Sequence, residues 1–217
     1  MKEQYQELEA LKDIRNIMER STRFLSLSGW SGVWAGAVAL GGSAIAWLQL
    51  ERYYNQYNER GNFDTEHYIN LRNNLFYLGV TVFIIALTGA FLFTLRKVRK
   101  QNGSIWSSAS RRFLNNLAIP LGTGAIMVSA FVYNNDLQYV APACLLFYGL
   151  SLYNAGKFTL NDIRYLGIIE VILGAICLFF PGLGLYFWAA GFGLMHIVYG
   201  IIMWNKYDRP LSKTGTA

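Results

Sequence analysis

Apolar residues run along this chain in six long blocks separated by polar stretches. The blocks cover residues 24–50, 74–95, 113–133, 137–154, 164–180 and 184–204. A helix crosses a bilayer core with about 20 apolar residues at 1.5 Å rise each. The pattern therefore predicts an all-α, polytopic membrane protein with six transmembrane helices in residues 24–204. Between the first two blocks, 51–73 reads as the longest polar connection, with Tyr53, Tyr54 and Tyr57 at headgroup level. Gly61-Asn62 reads as a turn, Asp64 as the cap of a short helix toward Tyr68, and His67 as solvated. Asn134-Asn135-Asp136 is a tight turn, and Pro181-Gly182-Leu183-Gly184 folds the last two spans into a hairpin. Pro120 is expected to kink the third span, and Asn161 or Asp162 to cap the fifth.

A different pattern precedes the first block. Over residues 1–23 polar and charged positions dominate, and Leu11, Ile14, Met18 and Leu25 share one narrow face. This predicts an amphipathic helix. It could lie on the membrane, pack on the bundle, or bind a cytoplasmic protein partner. The segment lacks the apolar core of a cleavable signal peptide. Residues 205–217 form a polar tail.

Charge fixes the threading. Of the 19 Lys and Arg, Arg52, Arg60 and Arg72 alone fall on outer connections if the chain starts inside and crosses six times. The positive-inside rule then predicts three in-out-in hairpins with both termini cytoplasmic. The net charge of +6 is spread over connections between apolar spans, with no water-exposed domain to present it, so nucleic acid is not expected as a partner. The lipid bilayer is.

Small residues mark the packing faces. Gly29, Gly32 and Gly36 recur along the first span, Gly167 and Gly174 along the fifth, and Gly193 and Gly200 along the sixth. Such stripes let helix backbones approach closely. The partner of the first stripe is either another helix of this chain or a second copy in a homo-oligomer. Internal packing is favoured, because an interior helix needs such a face in any compact bundle.

Candidate chemistry is sparse. Glu170 is the only acidic residue within a span, and His196 lies in the other arm of the same hairpin. Each is about 13 residues from the turn, so the two sit at nearly the same depth. Both share stripes with small residues and are expected to point inward, since a charge facing lipid costs several kcal/mol. They either form a hydrogen bond or ion pair, or Glu170 is protonated and a neutral His196 bonds a backbone carbonyl. Asn115, Asn116 and Pro120 would line a path in a transporter. Cys144 and Cys177 have no metal-type spacing. There is no HExxH, GxSxG or Walker loop, so no catalytic residue, metal or cofactor is expected. An intramembrane enzyme would need a nucleophile beside the Glu/His pair; Tyr199, the nearest candidate in sequence, reads as a packing residue. An internal repeat relates spans three and four to five and six: Gly124-Ala125-Ile126 matches Gly174-Ala175-Ile176, and Tyr148-Gly149 with Asn154 matches Tyr199-Gly200 with Asn205.

The run Gly167-Ile168-Ile169-Glu170-Val171-Ile172-Leu173-Gly174, then Pro181-Gly182, Gly191-Phe192-Gly193 and Gly200-Ile201-Ile202, resembles the HdeD-type acid-resistance membrane proteins of bacteria. The stretch RSTRFLSLSGWSGVWAG is similar to a group of uncharacterised bacterial integral membrane proteins. The long Tyr-rich connection at 51–73 departs from the compact hairpin pattern. The resemblance implies no catalytic or transport residues. With the missing chemistry, it implies a non-enzymatic membrane protein, an envelope or stress factor or a membrane partner of cytoplasmic proteins. The alternative is a small proton-linked transporter or channel using Glu170 and His196.

Overall fold

The computed structural model describes residues 27–61, 64–100 and 106–209. The helix expected over 1–23, the first residues of the 24–50 span and the tail beyond 209 lie outside the described residues. Among the described residues the fold is all-α, without a strand. Six helical rods follow one another: α1 (Gly29–Arg60), α2 (Thr65–Lys100), α3 (Ser108–Tyr133), α4 (Val140–Ala155), α5 (Asn161–Cys177) and α6 (Gly184–Asp208). Four of them, α1, α2, α3 and α6, are long and apolar enough to cross a membrane. The other two are shorter, at 16 and 17 residues, and α4 is extended at both ends by 3-10 turns, Leu137–Tyr139 and Gly156–Phe158.

The packing order differs from the chain order. α2 lies on α1, α1 on α6, α6 on α4 and α5, α5 on α4, and α4 on α3. The centre of the molecule is therefore built by α1, α4, α5 and α6. Leu152, Leu160, Ile163, Leu166 and Met203 form its apolar core, with Tyr199 packed against it. α2 and α3 turn most of their apolar surface outward: Phe83, Ile84, Leu87 and Phe91 on α2, and Ile119 and Ile126 on α3, are all exposed. In water such a surface would be an aggregation hazard. In hydrocarbon it is the solvated face, and the backbone polar groups are satisfied inside each helix.

Most of the stretch at 51–73 is helical: α1 continues to Arg60 and α2 begins at Thr65, so α2 reaches 36 residues, about 54 Å, against a bilayer core of about 30 Å. The reason is local. Residues 51–60 hold no helix breaker, and Gly61 stops α1 with φ at 68°, its N–H bonded to the Tyr57 carbonyl. Asp64 then opens α2 rather than a short helix: its Oδ1 accepts from the Glu66 and His67 amides at 3.0 and 3.4 Å. His67 is not simply solvated, because its Nδ1–H donates to Asp64 Oδ2 at 2.8 Å.

That bond holds the Asp64 carboxyl below its ordinary 3.8. A carboxylate whose folded pKa is depressed stabilises the fold above its unfolded pKa and loses that contribution as pH falls through the folded one. Acidification below 3.8 should therefore fray the first turn of α2. Amide exchange at Glu66 and His67, corrected for intrinsic rates, should lose protection there, while protection in the middle of α2 stays unchanged. Equal protection in wild type and Asp64→Ala at neutral pH would remove the cap.

The opposite end of the bundle is clasped by the last turn of α6. Ser28 occupies the N-cap position of α1 but does not cap it; Asp208 does, with Oδ2 accepting from the Gly29 amide at 2.8 Å. The other oxygen of Asp208 meets Lys97 Nζ at 2.6 Å, and Lys97 also donates to the Leu27 carbonyl. One carboxylate thus joins the ends of α1, α2 and α6. Beside it, Asp162 accepts from Tyr207 Oη at 2.6 Å and from Lys206 at 3.2 Å. Neither Asn161 nor Asp162 caps α5; Leu160 takes the cap position, and Asp162 lies in the first turn, where a carboxylate suits the helix dipole.

Candidate functional site: a buried acid, imidazole and phenol

The glycine stripes decide which helices meet. A methyl group on Gly36 would stand 2.5 Å from the Gly193 carbonyl oxygen, and one on Gly32 would stand 3.0 Å from the Gly200 Cα. Gly29 abuts the backbone of Gly200 and Trp204. The first stripe therefore packs internally, on α6. Gly193 lies against Leu40, and Gly200 against Val33 and Gly29. The fifth-span stripe faces elsewhere: Gly167 packs on the Gly149 carbonyl and Tyr153, and Gly174 on Leu145 and Leu146, all of α4. The two stripes of the last hairpin do not face each other; each serves a different neighbour.

This arrangement leaves one point where α4, α5 and α6 converge. Glu170 of α5 is fully buried there, with Leu145 of α4 equally enclosed. His196 of α6 is 6% exposed, and its Nδ1 lies 3.4 Å from Glu170 Oε1. Gly191 makes the approach possible, because a methyl group at that position would overlap the Glu170 carboxylate and Leu145. Its carbonyl accepts from His196 Nδ1 at 3.0 Å. A carbonyl can only accept, so Nδ1 carries a proton, and in the neutral ring Nε2 is the acceptor. Tyr148 of α4 supplies the donor: its hydroxyl is 2.7 Å from Nε2. Tyr148 and Phe192 pack on the imidazole, with ring centroids 5.3 and 6.0 Å from it, and Trp188 packs behind Phe192 at 5.0 Å.

Glu170 itself has no hydrogen bond at either oxygen. It stands within charge reach of His196 but outside hydrogen-bonding geometry. A buried ion with no donor costs several kcal/mol. The couple is electrically neutral in two forms, carboxylic acid with imidazole or carboxylate with imidazolium, and one proton separates them. His196 bonds a backbone carbonyl, as in one of the two arrangements expected from sequence, and Glu170 lies 3.4 Å from the imidazole without the hydrogen bond of the other.

The helix bearing His196 is irregular at this site. Residues Ala189–Met195 are π-helical, with bonds reaching one residue further than in an α-helix. The extra residue sets Gly191 toward Glu170 and the ring of His196 toward Tyr148. A second π segment, Trp204–Asp208, ends the helix at the clasp.

Asn115, Asn116 and Pro120 are not part of this site. Asn115 is exposed and Pro120 half-buried on α3. Asn116 donates to the Arg112 carbonyl at 2.8 Å and accepts from Asn154 at 3.2 Å, which ties α3 to α4. Sequence reasoning gave Tyr148 and Gly191 no site role. Tyr148 figured in the repeat and Gly191 in the family likeness, and neither signal says which helix each faces. Among the described residues no group of three or more His, Cys, Asp or Glu is placed to hold a metal ion. Compared with known proteins, the chain matches no family model, no curated protein and no solved structure.

Proposed function

We propose that this chain is a non-enzymatic integral membrane protein of six spans whose working part is a proton shared among Glu170, His196 and Tyr148. The observation that carries the reading is the carboxyl group of Glu170, fully enclosed, without a hydrogen bond, and 3.4 Å from an imidazole. Intramembrane ionisable residues are rare and usually tied to proton or ion handling. α4 and α5 would complete three hairpins with the four longer helices, both termini facing the cytoplasm of a bacterium. The polar links support this threading. Arg72 donates to Asn135 at 2.6 Å, joining two outer connections, while Lys97, Asp162, Lys206 and Asp208 join segments assigned to the inner face. The likeness of the last hairpin to acid-resistance membrane proteins is in keeping with a proton-responsive role.

Infrared difference spectroscopy on the reconstituted protein tests the proposal. Wild type should show a carboxyl signal that changes with pH, and Glu170→Gln should remove it. Tyr148→Phe should keep the signal and move its midpoint. A wild-type protein whose carboxyl signal is unchanged by Glu170→Gln would overturn the reading. Proton flux into liposomes then separates a carrier from a factor that reads the proton and passes the change to a partner.

A further inference from the structure

A second polar structure lies where α3 meets the connection between α4 and α5. A ladder of hydrogen bonds runs across it. The Arg112 carbonyl accepts from Asn116 Nδ2 at 2.8 Å, Asn116 Oδ1 accepts from Asn154 Nδ2 at 3.2 Å, and Asn154 Oδ1 accepts from Lys157 Nζ at 3.3 Å. The ladder brings Arg112 and Lys157 to one corner. Arg111 precedes Arg112 on the same helical turn. Arg164 of α5 lies beside the same connection: its side chain lies against Gly156, the neighbour of Lys157, and its guanidinium sits over the Tyr153 ring at 5.1 Å and reaches the Tyr153 hydroxyl at 3.4 Å.

These four cations have no acidic partner among the described residues. Asp162 is the nearest carboxylate in sequence, and it is buried and already taken by Lys206 and Tyr207. Arg111, Arg112 and Lys157 are exposed, so among the described residues the corner presents positive charge that no carboxylate offsets. Tyr153, under the Arg164 guanidinium, and Tyr165, next to Arg164 in sequence, are both exposed. Tyrosines at that position suit the level where headgroups meet acyl chains.

We propose that this corner seats the phosphate of an anionic phospholipid on the cytoplasmic leaflet, with Arg111, Arg112, Lys157 and Arg164 around the headgroup and Tyr153 and Tyr165 against its glycerol and upper acyl region. Basic pockets between membrane helices on this side hold such headgroups, and each Lys or Arg near an anionic surface adds to the attraction. A free phosphate ion would satisfy the cations but leave the two tyrosine rings without an apolar partner, so the lipid is the better fit. The proposal rests on the six-span threading, which places this corner at the inner surface.

Native mass spectrometry of the full chain in detergent provides the test, with phosphatidylglycerol, phosphatidylcholine and inorganic phosphate as probes. Wild type should retain phosphatidylglycerol over phosphatidylcholine. The double variant Arg112→Gln/Lys157→Gln should weaken that retention by roughly tenfold or more. Arg99→Gln/Lys100→Gln removes the same charge from the end of α2 and should leave it nearly unchanged. Equal losses in the two variants would reduce the effect to general charge and overturn the site. So would equal retention of the two lipids, or complete displacement by millimolar inorganic phosphate, which would mark a free-anion site. All four side chains lie at the molecule's edge, and a melting curve confirms that each variant folds. Labelling of Lys157→Cys from the cytoplasmic side is measured in parallel. If it fails, the threading is wrong; if it succeeds while lipid selectivity is absent, the threading stands and the headgroup site falls.

Discussion

Gly36→Ala is expected to destabilise the protein by about 2 to 3 kcal/mol, although it adds a single carbon. In an isolated helix the same change would stabilise by about 1 kcal/mol. The sign reverses because of what the new methyl meets. It would stand 2.5 Å from the Gly193 carbonyl oxygen and 2.9 Å from the Ile197 amide nitrogen, both backbone atoms of α6. Backbone cannot rotate away as a side chain can, so α1 must lift off α6 along the stripe. Gly32 makes a graded control, with its nearest contacts at 3.0 and 3.1 Å; Gly32→Ala should cost less. Gly41 has nothing within 4 Å, and Gly41→Ala should be neutral or mildly stabilising. Thermal unfolding of the three variants in one detergent checks the series. If Gly36→Ala and Gly41→Ala melt together, the helices do not touch where the structure has them touch.

Asp208→Ala should cost about 3 kcal/mol, more than any other acidic substitution at that end of the bundle. Its carboxylate does two jobs. It replaces the missing side-chain cap of α1, worth about 1 kcal/mol. It also neutralises Lys97, and both partners are only about one-eighth exposed. Removing one partner of an enclosed pair leaves the other charge uncompensated, which costs more than the pair was worth. Asp208→Asn keeps an oxygen for the Gly29 amide and loses the charge, so it should fall between alanine and wild type. Asp162→Ala is the contrast: its cation, Lys206, is 56% exposed and is solvated when the carboxylate is removed, so the loss should be smaller than at Asp208. The same melting measurement decides. Equal losses at Asp208 and Asp162 would mean that the clasp at Gly29 and Lys97 carries no special weight.

How far these features are legible in the sequence depends on the range of the interaction. Apolar runs locate each helix, because the requirement to bury or solvate hydrocarbon acts on every residue of the run. The ends are less legible. Residues 51–60 and 65–73 are polar, so hydropathy assigns them to a connection, yet nothing in them breaks a helix until Gly61, and both rods continue. Glycine spacing reveals that a face is approached closely but carries no address. Gly167 and Gly174 point to α4, Gly193 and Gly200 to α1, and only the three-dimensional packing order distinguishes them. The level placement of Glu170 and His196 follows from the turn between them, a short-range feature. Tyr148 reaches His196 across 48 positions, and Asp208 reaches Gly29 across 179. No local pattern encodes either. The asparagines of α3 read as channel lining because they are polar in an apolar run, and that run does not show that Asn116 bonds Asn154 of α4.

The irregular winding of α6 has a mechanical consequence. Between its two widened stretches, His196–Met203 is one short rigid α-helical rod. If the first stretch tightened to the ordinary pitch, everything after it would turn by about 100° and advance by about 1.5 Å, the step of one residue. The Asp208 carboxylate would swing out of line with the Gly29 amide and the Lys97 ammonium. α6 is thus a screw whose thread is cut beside the enclosed acid and whose head bears on the mouth of the first two helices, so a small rewinding at mid-depth would be felt as a loosened bolt at the surface.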